Sequence, residues 1–260
     1  MLKVDIQKPI AKVTLDRPDL HNAFNDELIR LVTAAFTDIG GNPEVRAVIL
    51  AGSGKSFCAG ADLNWMKSMA GYAREENIAD AQAAARMFLA IAKCPKPVLA
   101  RVHGAALGGG AGAVAASDIA VAVESALFGF TEVKLGIIPG VISPFVISKI
   151  GPGRAREYFI TGERFPAAVA LNMGLVQHVV PDEKALDALI ETKVAQILTS
   201  APGAIAAAKE LIFGVAARTL EGAFEFTSEA IANARAGEEG QAGMKAFFAR
   251  EKPPWAGGGS

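Results

Sequence analysis

The sequence feature that most constrains the fold is a glycine-rich segment in the middle of the chain. Residues 104–112 follow an apolar run at 97–102, and four of their last five positions are glycine. Glycine loses more conformational entropy on folding than any other residue. Such a run therefore indicates a close approach of backbone to backbone or of backbone to a ligand. Tight helix packing is the purely structural alternative, and the segment alone leaves both open.

Short apolar runs alternate with helix-forming stretches over the first part of the chain. The pattern predicts strands at 2–7, 10–15, 45–51, 97–102 and 119–123 and helices at 26–39, 72–92 and 107–116. Continuous apolar runs of this length are typical of strands buried on both faces. Alternation of such strands with helices favours an α/β architecture with parallel pairing.

From residue 153 onward the strand signals fade. The spacing of apolar residues predicts helices at 153–161, 167–173, 183–199, 204–215 and 221–250. The last helix carries Phe224, Phe226, Ile231, Phe247 and Phe248. This apolar surface is too large for a solvated tail, so the helix packs either on another subunit or on its own domain.

Composition excludes several classes of protein. Lys plus Arg is 26 and Asp plus Glu is 27, so nothing suggests the basic surface of a nucleic-acid-binding protein. The longest apolar runs are too short to span a bilayer, and the first residues lack the charged and apolar regions of a signal peptide, so we expect neither feature. Two cysteines make no disulfide framework. We therefore expect a cytoplasmic protein that binds neither nucleic acid nor a membrane.

A second motif precedes a helix, at residues 56–63. Its small residues let a ligand approach the main chain, and Asp62 can cap the helix that follows. The start of a helix offers unpaired N–H groups to an anion or a polarised carbonyl. A purely structural turn fits the motif equally well.

A third motif, at residues 126–140, holds the carboxylate of Glu132 among apolar residues. Burial raises the pKa of such a group and makes it a usable proton carrier near neutral pH. An ion pair with Lys134, or a helix-capping role, is the structural alternative.

Other segments match known functional motifs only in part. Residues 110–115 match a dinucleotide-binding fingerprint, but no strand ends in the acidic residue that such folds place downstream. Residues 54–56 resemble the end of a phosphate loop, yet Ile49 stands where its first glycine belongs. Cys58 could act as a nucleophile, but no base that could activate it is evident nearby, so a small packed thiol fits better. No metal is expected, because metal-ligand spacing is lacking among His21, His103 and His178.

Taken together, these segments resemble the enoyl-coenzyme A (CoA) hydratase/isomerase (crotonase) superfamily over nearly the whole chain. The resemblance is carried by residues 15–18, 22–24, 57–63, 104–110, 132–140 and 243–248. Residues 128–132 and 138–146 look most like bacterial hydratases of the methylglutaconyl-CoA type.

The resemblance implies an α/β fold in which repeated β-β-α units form a spiral. It implies a spiral core over residues 1–195 and a helical trimerisation region over 196–256. The small residues Gly-Gly-Gly-Ser at 257–260 predict a flexible tail. It also implies a homotrimer or a dimer of trimers, an acyl-CoA thioester as substrate, and no cofactor.

The resemblance also implies site residues. It places the oxyanion-hole donors at the N–H groups of Ala61 and Gly109, and the acid/base at Glu132. We hypothesise that backbone groups near Gly140 help Glu132 to activate water. Coenzyme A contacts are implied at Asp19, Leu20, His21, Ala59, Asp62 and Leu63, with Phe248 and Lys252 of the last helix reaching in from a neighbouring subunit. Trp65, Met66, Met69, Phe88 and Val141 are candidates for the wall of the acyl pocket or for the core.

The sequence departs from the family pattern at one position. Two-carboxylate hydratases of this family have a first glutamate where this chain has Gly112. Three hypotheses remain: hydration of an enoyl-CoA or 3-methylglutaconyl-CoA by Glu132 alone, isomerisation with Glu132 as the sole proton shuttle, and a non-catalytic binding or scaffold role.

Overall fold

The computed structural model describes residues 1–256, and the predicted tail at 257–260 lies outside them. The strands are β1 (Leu2–Gln7), β2 (Ile10–Leu15), β3 (Ala47–Gly52), β4 (Val98–Val102), β5 (Ala105–Leu107), β6 (Ile119–Val123), β7 (Leu127–Gly129), β8 (Arg164–Pro166) and β9 (His178–Val180). The helices are α1 (Asp26–Gly41), α2 (Leu63–Met69), α3 (Arg74–Ala92), α4 (Gly109–Ala116), α5 (Ser143–Thr161), α6 (Ala167–Met173), α7 (Glu183–Leu198), α8 (Pro202–Ala216), α9 (Phe224–Ala236) and α10 (Glu238–Ala249).

The strands form two sheets. The larger has the order β1-β2-β3-β4-β6-β9, antiparallel between β1 and β2 and parallel elsewhere. The smaller has the order β5-β7-β8. In each of the successive units β4-β5-α4 and β6-β7-α5, the first strand joins the large sheet and the second joins the small one. This repetition confirms the α/β spiral of β-β-α units.

Local chemistry sets several of these elements. Asn25 caps α1, its side chain accepting a hydrogen bond of 2.9 Å from the Leu28 N–H. Along α1, apolar residues at helical spacing are buried against the core: Leu28, Ile29, Val32, Phe36 and Ile39. Strands β3 and β4 are almost wholly buried, as their continuous apolar runs predict.

Several predicted boundaries are wrong. Strands β8 and β9 lie in the region predicted to be helical only, and the first residue of the helix predicted at 107–116 belongs to β5. Helix α5 begins ten residues early, at Ser143, and is kinked at Gly151, whose φ is 76°. The last predicted helix, 221–250, is a 3-10 turn followed by α9 and α10, separated by the extended backbone of Gly237.

Within residues 1–256, no single helix is long and apolar enough to cross a membrane. Helices α7 and α8 reach that threshold only when they are combined across a bend of 104°. Helix α7 buries Leu186, Ile190 and Val194 in the core of the protein.

Candidate active site

A cavity of about 480 Å³ lies between α2, α3, the start of α4 and the segment that precedes α5. Its wall includes Ala61, Gly109, Glu132 and Gly140, which three separate sequence motifs supply. The five candidates for the acyl pocket also line it: Trp65, Met66, Met69, Phe88 and Val141. The fold therefore brings the predicted reaction centre and the predicted acyl pocket into one cavity.

Two backbone N–H groups in this wall are free. On either side of Ala61, the Gly60 carbonyl accepts from the Phe24 N–H at 2.7 Å and the Asp62 N–H donates to the Phe24 carbonyl at 2.8 Å. Gly109 is the first residue of α4, where N–H groups have no partner inside the helix. Within residues 1–256, neither the Ala61 nor the Gly109 N–H donates to a protein acceptor. Two such donors can hold an oxygen on which negative charge develops.

Close backbone packing explains the glycine-rich segment that carries one of these donors. The Cys58 N–H donates to the Ala105 carbonyl at 3.0 Å, and the Leu107 N–H donates to the Cys58 carbonyl at 3.0 Å. A side chain at Gly110 would collide with that same Cys58 carbonyl. Gly108 has φ 49° and ψ −117°, a conformation that favours glycine. The glycines therefore let the two donor-bearing loops lie side by side.

Glu132 begins the 3-10 turn Glu132–Leu135, just after β7. Its Oε1 approaches Gly108 so closely that a Cβ there would lie 3.3 Å away, which places the carboxylate beside the start of α4. Its Oε2 is buried and has no hydrogen-bond partner in residues 1–256. Burial raises the pKa of Glu132, and a hydrogen bond from its own backbone offsets this only in part. The alternative of an ion pair with Lys134 is wrong, because none forms among the described residues.

The space beside Gly112 is apolar. A side chain there would collide with Ile142, and its Cβ would lie 3.2 Å from Cε1 of Phe88. The Phe88 ring packs against Phe24 and Phe145, with ring centroids 6.1 and 5.8 Å away. The space that a glutamate at position 112 would need is therefore occupied by hydrophobic side chains.

The residues expected to contact coenzyme A near the start of the chain lie together. Asp19 and Leu20 are in an exposed 3-10 turn, and His21 ends it in a left-handed conformation. The His21 carbonyl accepts a hydrogen bond of 2.9 Å from the Ala59 N–H, so Ala59 adjoins this turn. Buried Asn22, whose role sequence reasoning did not identify, donates to the carbonyls of three residues of the facing loop: Ser53, Ser56 and Phe57.

The other expected contacts lie elsewhere. Asp62 is buried, while its neighbour Leu63 is 73% exposed. Phe248 lies exposed on α10, and neither it nor Lys252 lines the cavity within the single chain. The placement of Lys252 on the last helix is wrong, because α10 ends at Ala249.

Both oxygens of the Asp62 carboxylate have partners within the protein. It caps α2 through the Asn64 N–H at 2.8 Å, and its Oδ2 lies 2.7 Å from Nη2 of Arg17. Burial raises the pKa of Asp62, but hydrogen bonds from Arg17 and from the helix N–H groups outweigh burial and hold it below its usual value. Asp62 therefore anchors the loop that presents the Ala61 donor.

Asp62→Asn is expected to lower the free energy of unfolding by about 3 kcal/mol at pH 7, because it leaves the Arg17 charge buried without its partner. Since the folded-state pKa is depressed, the wild-type advantage is present above the ordinary aspartate pKa of about 3.9 and is lost as pH falls through the folded value. Urea unfolding at several pH values measures this. Glu44→Gln, in an exposed pair with Lys8, is the control and should change little; equal effects of the two variants would contradict the prediction.

Two further polar residues line the cavity: Asn77 and Asp80, both on α3. Sequence reasoning missed them. The available signal was their helical spacing with Ala84 and Phe88, which places all four on one face of α3.

The chain matches known proteins over almost its full length. A family model described as enoyl-CoA hydratase/isomerase matches residues 5–258. The short-chain-enoyl-CoA hydratase of Clostridium acetobutylicum is 35% identical over 94% of this chain and 92% of its own. The structure of an enoyl-CoA hydratase from Shewanella pealeana is 38% identical, with a TM-score of 0.94 over 98% of this chain and 95% of its own. That of an enoyl-CoA hydratase from Mycobacterium smegmatis is 32% identical, with a TM-score of 0.92 over 98% of both chains. With two free backbone donors and a carboxylate in one cavity, the chain belongs to the enoyl-CoA hydratase/isomerase family of enzymes, which act on acyl-CoA thioesters.

Proposed function

We propose that the protein adds water to the C2=C3 double bond of an enoyl-CoA thioester, with Glu132 as acid/base. The observation that carries this proposal is the buried, unpartnered Oε2 of Glu132 in the same cavity wall as the free N–H groups of Ala61 and Gly109. Several relatives are named hydratases, which supports hydration as the reaction.

In the proposed reaction, both backbone donors bind the thioester oxygen, on which charge develops as the enolate forms. Each such donor typically lowers the barrier by about 3 kcal/mol. Water attacks C3 while Glu132 takes one of its protons, and the protonated Glu132 then delivers a proton to C2. Glu132 thus ends in its starting state, and no cofactor is needed.

In this proposal Gly140 contributes through its carbonyl group only. Its N–H already donates to the Ile138 carbonyl at 2.8 Å, and its carbonyl accepts from the Ser143 hydroxyl at 2.8 Å. A carbonyl oxygen has a second lone pair, so we propose that Gly140 helps to orient the water through it.

We propose that coenzyme A lies along Asp19, Leu20, His21 and Ala59, with Leu63 at the edge. The working unit is proposed to be a homotrimer or a dimer of trimers, in which Phe248 and Lys252 of a neighbouring subunit approach the site. The exposed apolar side chains of the C-terminal region support this assembly: Leu220 is 79% exposed, Phe224 65%, Phe247 77% and Phe248 79%. A cytoplasmic location completes the proposal.

A neutral acyl group suits the cavity better than the distal carboxylate of 3-methylglutaconyl-CoA. Among the described residues, no Lys, Arg or His side chain lines the cavity, whereas Asp80 and Glu132 do. We therefore propose a simple enoyl-CoA as the first substrate to test and 3-methylglutaconyl-CoA as the second.

A second candidate is isomerisation of a 3-enoyl-CoA to the conjugated 2-enoyl-CoA. The apolar filling beside Gly112 favours it, because a single carboxylate can take a proton from C2 and return it to C4 without using water.

Steady-state assays with crotonyl-CoA, 3-methylglutaconyl-CoA and a 3-enoyl-CoA test the proposal. We expect crotonyl-CoA to be hydrated, with ¹⁸O from labelled water incorporated at C3. Isomerisation of the 3-enoyl-CoA without hydration of either conjugated substrate would overturn the hydratase proposal in favour of the second candidate. A thermal shift with CoA thioesters but no turnover of any of them would indicate a binding role.

The pH profile of hydration is expected to reflect the raised pKa of Glu132. Glu132 must be ionised to take a proton from water, so kcat/KM should fall as pH decreases through its folded-state pKa. Because burial raises that pKa, the inflection should lie above the ordinary glutamate value of about 4.3. Initial rates at constant ionic strength, with stability checked at each pH, measure this; an inflection at or below the ordinary value would contradict it.

A further inference from the structure

One face of α3 forms a long side of the cavity. Asn77, Asp80, Ala84 and Phe88 all line it, at successive helical turns. Phe88 lies at the reaction centre, because Cβ atoms built at Gly109 and Gly112 would contact its ring. Asp80 lies two turns earlier, ~12 Å along the helix axis at the usual helical rise. Asp80 is therefore too far along the helix to replace the carboxylate missing at Gly112, and it stands towards the other end of the cavity.

The Asp80 carboxylate has no partner in residues 1–256, where it makes neither an ion pair nor a side-chain hydrogen bond. It is half-buried, and burial, followed by the nearby charge of Asp26 on α1, raises the pKa of Asp80. The neighbouring Asn77 amide donates to the carbonyls of Tyr72 and Ala73. This end of the cavity is therefore acidic, and its carboxylate is free to accept hydrogen bonds.

We propose that Asp80 determines the acyl specificity of the enzyme: the cavity accepts an acyl chain that ends in a neutral hydrogen-bond donor, such as a hydroxyl, and rejects one that ends in a carboxylate. This rests on the proposed use of the cavity for the acyl group of a CoA thioester. A terminal hydroxyl donates a charge-assisted hydrogen bond to Asp80. A terminal carboxylate faces Asp80, and beyond it Asp26, without a cation in the cavity wall, and like charges brought together oppose binding.

Binding of three saturated medium-chain acyl-CoA thioesters, identical except for a methyl, hydroxyl or carboxylate terminus, tests the proposal. Isothermal titration calorimetry on the wild type should give a Kd at least about tenfold lower for the hydroxyl than for the carboxylate compound. Asp80→Asn should reduce this ratio by about tenfold, chiefly by improving the carboxylate compound relative to the methyl one. Glu75→Gln removes the same charge from the exposed first turn of α3 and should leave the ratio unchanged.

An unchanged Kd ratio in Asp80→Asn, or equal changes in Asp80→Asn and Glu75→Gln, would overturn the proposal. Crotonyl-CoA, whose acyl group is too short to reach Asp80, is assayed on the same preparations. If the wild type fails to hydrate it, the proposed function fails while the binding ratios still decide the role of Asp80. Asp80→Asn is expected to fold, with a higher Tm at neutral pH, because it removes a charge that the folded state disfavours.

Discussion

Glu132→Gln is expected to lower kcat/KM for the preferred CoA thioester by about 10²–10⁴-fold. Glutamine has nearly the same shape as glutamate, so the turn Glu132–Leu135 and the cavity wall should persist. The amide cannot take a proton from water or return one to carbon. Because the backbone donors of Ala61 and Gly109 remain, the Kd of a saturated acyl-CoA should change little. Steady-state kinetics with titration calorimetry separates the loss of chemistry from any loss of binding.

Glu124→Gln is the matched control for this variant. Glu124 is exposed and lies just before β7, whereas Glu132 lies just after it. The control should retain full activity. Its kcat/KM should still fall as pH decreases through the folded-state pKa of Glu132. Full activity of Glu132→Gln would refute both the hydratase and the isomerase mechanisms, because each routes its proton transfer through this carboxylate.

The local pattern of the sequence was sufficient for much of the fold. Strands β1, β2 and β6 have the predicted bounds, because each is a short apolar or alternating run bordered by turn-forming residues. Strands β8 and β9 were missed, because each has only three residues and is defined by its pairing with distant β7 or β6. The break between α9 and α10 was missed because the residues on both sides of Gly237 favour helices.

The site residues were predictable where a functional backbone group requires small residues around it. Small residues before α2 and α4 indicated the loops of Ala61 and Gly109, and the fold brings both to the cavity with Glu132. Asp80 was predictable only in part: its helical spacing places it on one face of α3 with Phe88, but periodicity within the alanine-rich α3 does not tell which face borders a cavity. The environment of Gly112 was not predictable either, because Ile142, which fills that space, lies far along the chain.

Gly112→Glu, which restores the two-carboxylate pattern of the family, is expected to destabilise the protein by more than about 3 kcal/mol rather than improve hydration. Its Cβ would collide with Ile142 and lie 3.2 Å from Cε1 of Phe88. Ile142 is β-branched and 3% exposed, so it cannot easily move away. The new carboxylate would also be buried among aromatic rings. Urea unfolding should show the loss directly, together with a loss of soluble, active protein.

Gly153→Glu is the control, because Gly153 is helical and exposed and no atom lies within 4 Å of a Cβ built there. Gly153→Glu should lower the free energy of unfolding only slightly. Shortening the obstructing side chain in the double variant Gly112→Glu/Ile142→Ala should recover much of the stability, since the glutamate then occupies the released volume. If the double variant also raises the ratio of hydration to isomerisation, the apolar filling beside Gly112 is what limits the wild-type enzyme to a single carboxylate. A Gly112→Glu protein as stable as Gly153→Glu would show instead that Ile142 does not exclude a side chain from this position.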